Sequence, residues 1–261
     1  MSEGLVIERE QRVSIVRMHR PQRRNAMSLG YMRELTHTAE TLRNDDETDV
    51  VLLTGATGWF SAGADLKDEE RWSIGAKPLA EQREIGQTGY RMARAWEELP
   101  QITIAAIEGY ALGGGLALAL ACDWRVLAED AVVGVPEIGL GIPLTWGTLP
   151  RLIALAGPAR AKRLTILCEQ ISATEALQMG LVDYVVAAGG TLAQARNIAG
   201  RVLEMPRAVV RMSKETINAT AYALAHLASH AGADQFTLAA ASPEAAAARE
   251  RFRDRSSHAK D

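Results

Sequence analysis

The segment EGYALGGGLALALACD, residues 108–123, sets three consecutive glycines, Gly113, Gly114 and Gly115, at the head of an alanine- and leucine-rich run. Glycine lets other groups approach the main chain closely, and a helix behind it would turn its positive end toward the turn. Such a turn could hold a phosphate or a developing oxyanion, or it could be a tight turn that holds nothing. A second small-residue turn, FSAGADLK at residues 60–67, follows the apolar run Val50–Thr54, as the glycine stretch follows Ile102–Ile107. Two parallel strands ending in such turns could aim two backbone N–H groups at one point, which is how an oxyanion hole is built. Glu137, in VGVPEIG, follows a valine-rich run. Partial burial there would raise its pKa toward values useful for acid–base work. The plainer reading of Glu137 is a strand-end carboxylate satisfied by backbone N–H groups.

Competing motifs do not fit. A nucleotide P-loop needs Lys and Ser or Thr directly after its last glycine, and Leu116 and Ala117 stand there. A dinucleotide fingerprint begins at Gly139 and Gly141 but meets Leu144 at its third place. The histidine pair His226 and His230 has helical spacing but no acidic residue between, so no metal role is read from it. No G-x-S-x-G elbow occurs.

The elements that must position these residues alternate. RVSIVRMHRP reads as a strand ended by Pro21, and Ser28 as the cap of a helix burying Met32, Leu35, Ala39 and Leu42. DVVLLTG and ITIAAIEG are continuous apolar runs, the mark of strands buried on both faces. DWRVLAED and AVVGVPE add strands. In ISATEALQMGLVDYVV, Ser172 and Glu175 form a capping box and Gly180 closes the helix. The fold class is α/β. Strand signals fade beyond Thr191, so the chain divides into a core over residues 1–200 and a helical section over 201–261, with Pro243 in the first turn of the last helix.

The 261 residues carry a net charge of −3, which argues against nucleic acid as the main partner. Two cysteines, Cys122 and Cys168, are too few for a disulfide framework and point to a reducing, cytoplasmic compartment. The start MSEGLVIERE has no secretory signature, and the apolar stretch 102–122 is broken by Glu108 and the glycines, so no membrane span is expected.

RPQRRNAMS, FSAGADLK, IAAIEGYALGGGLALALACDWRV and VGVPEIGLGI, continuing through GPARAKRLTILCEQISATEALQMGLVDYVV, resemble in order and spacing the crotonase, or enoyl-CoA hydratase/isomerase, superfamily. The resemblance covers nearly the whole chain. It implies a spiral of ββα units, a C-terminal helical trimerisation region giving a homotrimer or hexamer, acyl-CoA thioester substrates, and no cofactor beyond the CoA of the substrate. It implies that the N–H groups of Ala64 and Gly114 hold the thioester oxygen as an enolate forms. The segment Ala62, Ala64 and Leu66 would wall the adenine, with Arg24 and Lys67 (and Arg23 beside them) near the CoA phosphates.

One departure bears on the reaction. The superfamily's hydratases carry two glutamates. Here Glu137 stands at the second place and Ala117 at the first. A single carboxylate can still move a proton from C2 to C4 of a 3-enoyl thioester, and isomerases of the superfamily resemble this chain in keeping only the second glutamate. The expectation is therefore double-bond migration, with hydration or another crotonase reaction on Glu137 alone as the alternative, and a non-catalytic acyl-CoA binder as a further one. Trp59, Trp72, Trp96 and Trp146 could line an acyl pocket or only pack; Trp146, close after Glu137 and beside Ala117 in the expected pocket, is the one expected to face substrate.

Overall fold

The computed structural model describes residues 4–258 apart from 57, 224, 226–228, 230 and 231. The pair His226 and His230 thus lies outside the described residues, as does the side chain of Trp72. A hairpin of β1 (Gly4–Glu10) and β2 (Val13–His19) opens the chain. Helix α1 (Leu29–Arg43) follows, its Ser28 Oγ accepting from the Tyr31 N–H at 3.2 Å. It buries Met32, Leu35, Ala39 and Leu42, as the spacing predicts.

Strands β3 (Val50–Thr54) and β4 (Ile102–Ile107) are buried at every residue. Between them lie α2 (Glu69–Trp72), α3 (Leu79–Gly86) and α4 (Thr88–Glu97). With β6 (Trp124–Ala128) and β9 (Tyr184–Val186) they complete a six-stranded sheet of order β1-β2-β3-β4-β6-β9, parallel except at the first hairpin. One face packs on α1 and α4 through Leu35, Leu53 and Trp96. The other packs on α8 (Thr191–Leu203) through Ala195, Ile198 and Ala199. Burial on both sides explains why these strands read as unbroken apolar runs.

A second sheet orders β5 (Tyr110–Leu112), β7 (Val132–Gly134) and β8 (Gln170–Ser172). Its first strand corrects a sequence expectation. The triple glycine does not end Ile102–Ile107 directly; the chain breaks at Gly109, whose φ is +63°, and β5 crosses into the smaller sheet. A Cβ on Gly109 would fall inside the backbone of Gly58, so the change of direction requires glycine.

Helix α5 (Gly114–Leu120) follows the glycines, and α6 (Thr148–Ile166) is broken at Gly157, ahead of Pro158. Helix α7 (Ala173–Met179) begins with the Ser172 Oγ accepting from the Glu175 N–H and ends at Gly180 in the left-handed region. Only half of the expected capping box forms, because the Glu175 carboxylate turns to Arg163. After β9 the described chain is helical: α8, α9 (Arg207–Ala221), α10 (Gly232–Ala240) and α11 (Pro243–His258). No described helix is long and apolar enough to cross a membrane.

Candidate active site

The parallel pairing of β3 with β4 brings the two turns into one neighbourhood. The Phe60 and Ser61 N–H groups both donate to the Tyr110 carbonyl, at 3.0 and 3.2 Å, and Leu112 N–H donates to the Ser61 carbonyl. The FSAGAD segment therefore runs alongside β5 like an extra strand. Its other side is held by RPQRRNAMS. Buried Asn25 accepts from the Arg20 N–H at 2.8 Å and donates through Nδ2 to the Phe60 carbonyl at 3.0 Å. Ser61 Oγ donates to the Asn25 carbonyl at 2.9 Å and accepts from the Gly63 N–H. Met27 N–H then donates to the Gly63 carbonyl, and Asp65 N–H to that of Met27. These bonds fix the peptides around Ala64 and leave its N–H without a backbone acceptor among the described residues. The Gly114 N–H, in the first turn of α5, is also without one. A Cβ on Gly63 would lie 3.2 Å from the Gly114 nitrogen, which shows how near the two turns come.

Each of the three glycines makes room for a different group. A Cβ on Gly113 would lie 2.3 Å from Glu137 Oε1, one on Gly114 2.2 Å from the Trp146 ring, and one on Gly115 2.8 Å from both Cβ and the carbonyl oxygen of Ser61. Gly113 also has φ +50° and ψ −119°, a conformation side chains rarely permit. The stretch thus packs a carboxylate, an indole and the neighbouring turn against bare backbone.

These groups surround a cavity of about 250 Å³, walled by Ala62, Ala64, Leu66, Ala117, Leu144 and Trp146. Glu137 and Arg71 are the only charged side chains among its described lining residues. Burial pushes the Glu137 carboxyl up to about 7, against the pull of its own backbone N–H and of the Arg71 cation. Its Oε2 is buried without a hydrogen-bond partner among the described residues. A carboxyl half-ionised near neutrality, on the lining of an apolar cavity, can take up and return a proton at a ligand carbon.

Trp146 sits in the left-handed region, with φ +60°. The strain is held from behind. Arg151, on α6, donates through Nη1 to the Trp146 and Gly147 carbonyls at 3.1 and 3.0 Å, and bidentately to Glu97 on α4 at 2.9 Å for each oxygen. Both side chains of that ion pair are buried.

Of the residues expected from sequence, Ala62, Ala64, Leu66, Gly114, Ala117, Glu137 and Trp146 all line this cavity. Arg24 and Lys67 do not; both are exposed outside it, and Arg24 instead contributes its carbonyl, which accepts from the Ala62 N–H. Trp96 is core, with its Nε1 donating to the Leu35 carbonyl, and Trp59 is absent from the lining. Arg71 is the residue that sequence reasoning missed. It lies in the charged segment DEERWS, yet it is buried. Asp68, just before α2, accepts from the Leu29 N–H at 2.6 Å and ties this short helix to α1. The ring of Phe236 on α10 then covers the guanidinium.

A family model described as enoyl-CoA hydratase/isomerase matches residues 8–257. A relative named crotonyl-CoA hydratase, from Syntrophomonas wolfei, is 35% identical over 217 residues, 83% of this chain and 82% of its own. One named short-chain-enoyl-CoA hydratase, from Clostridium acetobutylicum, is 35% identical over 216 residues, 82% of this chain and 81% of its own. The crystal structure of an enoyl-CoA hydratase from Mycobacterium avium subsp. paratuberculosis superposes with a TM-score of 0.85 at 27% identity, covering 97% of this chain and 96% of that one.

Proposed function

The chain belongs to the enoyl-CoA hydratase/isomerase family and is an enzyme of it, and from that premise we propose that it moves the double bond of a 3-enoyl-CoA thioester into conjugation at C2, with Glu137 as the only proton carrier. The thioester carbonyl oxygen accepts from the Ala64 and Gly114 N–H groups. Charge leaving C2–H flows onto that oxygen as the enolate forms, and each well-placed donor is worth about 10²–10³ in rate. Glu137 takes the proton from C2 and returns it at C4. The double bond moves one position, no water is consumed, and the carboxylate is regenerated.

The observation that carries this reading is the pairing of Glu137, at about 7, with Ala117 across the same cavity. Hydration with two carboxylates needs a second group to hold and polarise water, and a methyl group cannot do so. Hydration on Glu137 alone is the second reading, and the names of the relatives favour it.

Product analysis separates the two. Purified protein is given 3-hexenoyl-CoA and, separately, 2-butenoyl-CoA, and products are identified by mass and double-bond position. Migration predicts 2-hexenoyl-CoA from the first and little water addition to the second. Efficient hydration of 2-butenoyl-CoA with 3-hexenoyl-CoA untouched would put the hydratase reading in its place. Ala117→Glu should raise hydration relative to migration.

A further inference from the structure

We propose that the acyl group this pocket takes carries a carboxylate at its far end, and that Arg71 is the receptor for it. The inference rests on the reading of the cavity as an acyl-CoA site and concerns only which acyl class enters it.

Arg71 lines the cavity and is only 8% exposed. Its Nε is buried with no hydrogen-bond acceptor among the described residues. Two aromatic rings lie against the guanidinium, Trp146 with its centroid at 5.6 Å and Phe236 at 5.4 Å. Cation–π contacts of this kind stabilise the charge but supply no oxygen to its in-plane N–H donors. The carboxylates that act on it are Asp68 and Glu137, and both have other work. Asp68 accepts from the Leu29 N–H, while Glu137 must give up its charge whenever it carries a proton.

A buried guanidinium with an unmet donor is costly, and the cost is recovered when a planar oxyanion meets it. A carboxylate is such a group, and its two oxygens match the guanidinium fork. The remaining lining is apolar or uncharged, so an anionic acyl end has one place to go. The cavity's size, about 250 Å³, suits a short acyl chain. An arginine serving only to hold Glu137 ionised would act on every substrate alike, whereas a receptor discriminates between them.

The test measures binding of two unreactive saturated thioesters, butanoyl-CoA and 4-carboxybutanoyl-CoA, by calorimetry to the wild type, Arg71→Lys and Arg71→Met. The wild type should bind the carboxylated thioester at least tenfold more tightly, as expected for charge-assisted hydrogen bonds in a desolvated site. That ratio should fall to about one in Arg71→Met and keep an intermediate value in Arg71→Lys. Equal affinities in the wild type, or a ratio that Arg71→Met leaves unchanged, would overturn the receptor role while the acyl-CoA reading stands. Failure of both thioesters to bind would overturn both. Circular dichroism checks that the variants fold; if Arg71→Met does not, the wild-type ratio and its change in Arg71→Lys decide.

Discussion

Gly113 and Glu137 are paired: a carboxylate oxygen of Glu137 lies only 2.3 Å from where any side chain at 113 would place its Cβ. The missing side chain is what lets the proposed proton carrier lie against the glycine turn. Gly113→Ala should therefore cost twice, through backbone strain at φ +50° and through displacement of Glu137. Turnover should drop by about two orders of magnitude, since a 1 Å misplacement can cost that much. Steady-state kinetics on the enoyl thioester checks it, and turnover within threefold of the wild type would contradict the pairing.

Glu137→Gln should abolish proton transfer and leave thioester binding nearly intact. It should also change stability with a definite sign. The folded-state pKa of about 7 lies above the usual carboxyl value of 4.5, so the folded chain holds the proton more tightly than the unfolded one. Stability tied to this group is full below about pH 4.5 and is lost as pH rises through 7. The difference is of order 3 kcal/mol. Denaturant unfolding at pH 8 should find the glutamine variant more stable than the wild type, with the gap closing toward pH 5. A gap that does not change with pH would refute the assignment of the shift.

Arg151→Lys retains the charge but cannot serve a carboxylate and two carbonyls together. Breaking such a buried pair costs roughly 3 kcal/mol, so thermal unfolding should come several degrees lower. Because Trp146 loses its anchor, kcat should fall beyond what the lower stability explains. Assay well below the unfolding temperature separates the two effects.

Assembly gives a further expectation. Helix α9 leaves Val209, Met212 and Ile217 exposed, an apolar surface a lone subunit would show to water. We propose that this helical section packs between subunits, as the family resemblance implies. Sedimentation should find a trimer or hexamer, and Met212→Glu with Ile217→Glu should shift it toward smaller species. A wild-type monomer at micromolar concentration would contradict this.

How much of this could be read from sequence depended on how local each signal was. The Ser28 cap, the Gly180 stop and the buried β3 and β4 followed from patterns within a few residues. Glu137 and the two turns were found because small residues and a carboxylate fall after apolar runs. What each glycine faces was not readable, because it depends on which chain β5 pairs with and where Trp146 is pinned. Arg71 was hidden for the same reason. Its neighbours in sequence are charged, while its cover comes from Phe236 on a helix near the other end of the chain. Arg24 and Lys67, named by resemblance, are exposed and lie outside the cavity lining.

That same cover has a consequence for how the enzyme comes into being. The walls of the cavity are made from residues between 62 and 170, but α10 packs on α3, and α11 reaches the loop at Gly141, where Ala245 fills the space a side chain would need. During synthesis the sheet and its glycine turns can assemble while the cavity still stands open to water. Only when α10 has been added is the Arg71 guanidinium roofed by Phe236. A chain that stops short of residue 232 would thus carry Ala64, Gly114 and Glu137 in a cavity without that cover.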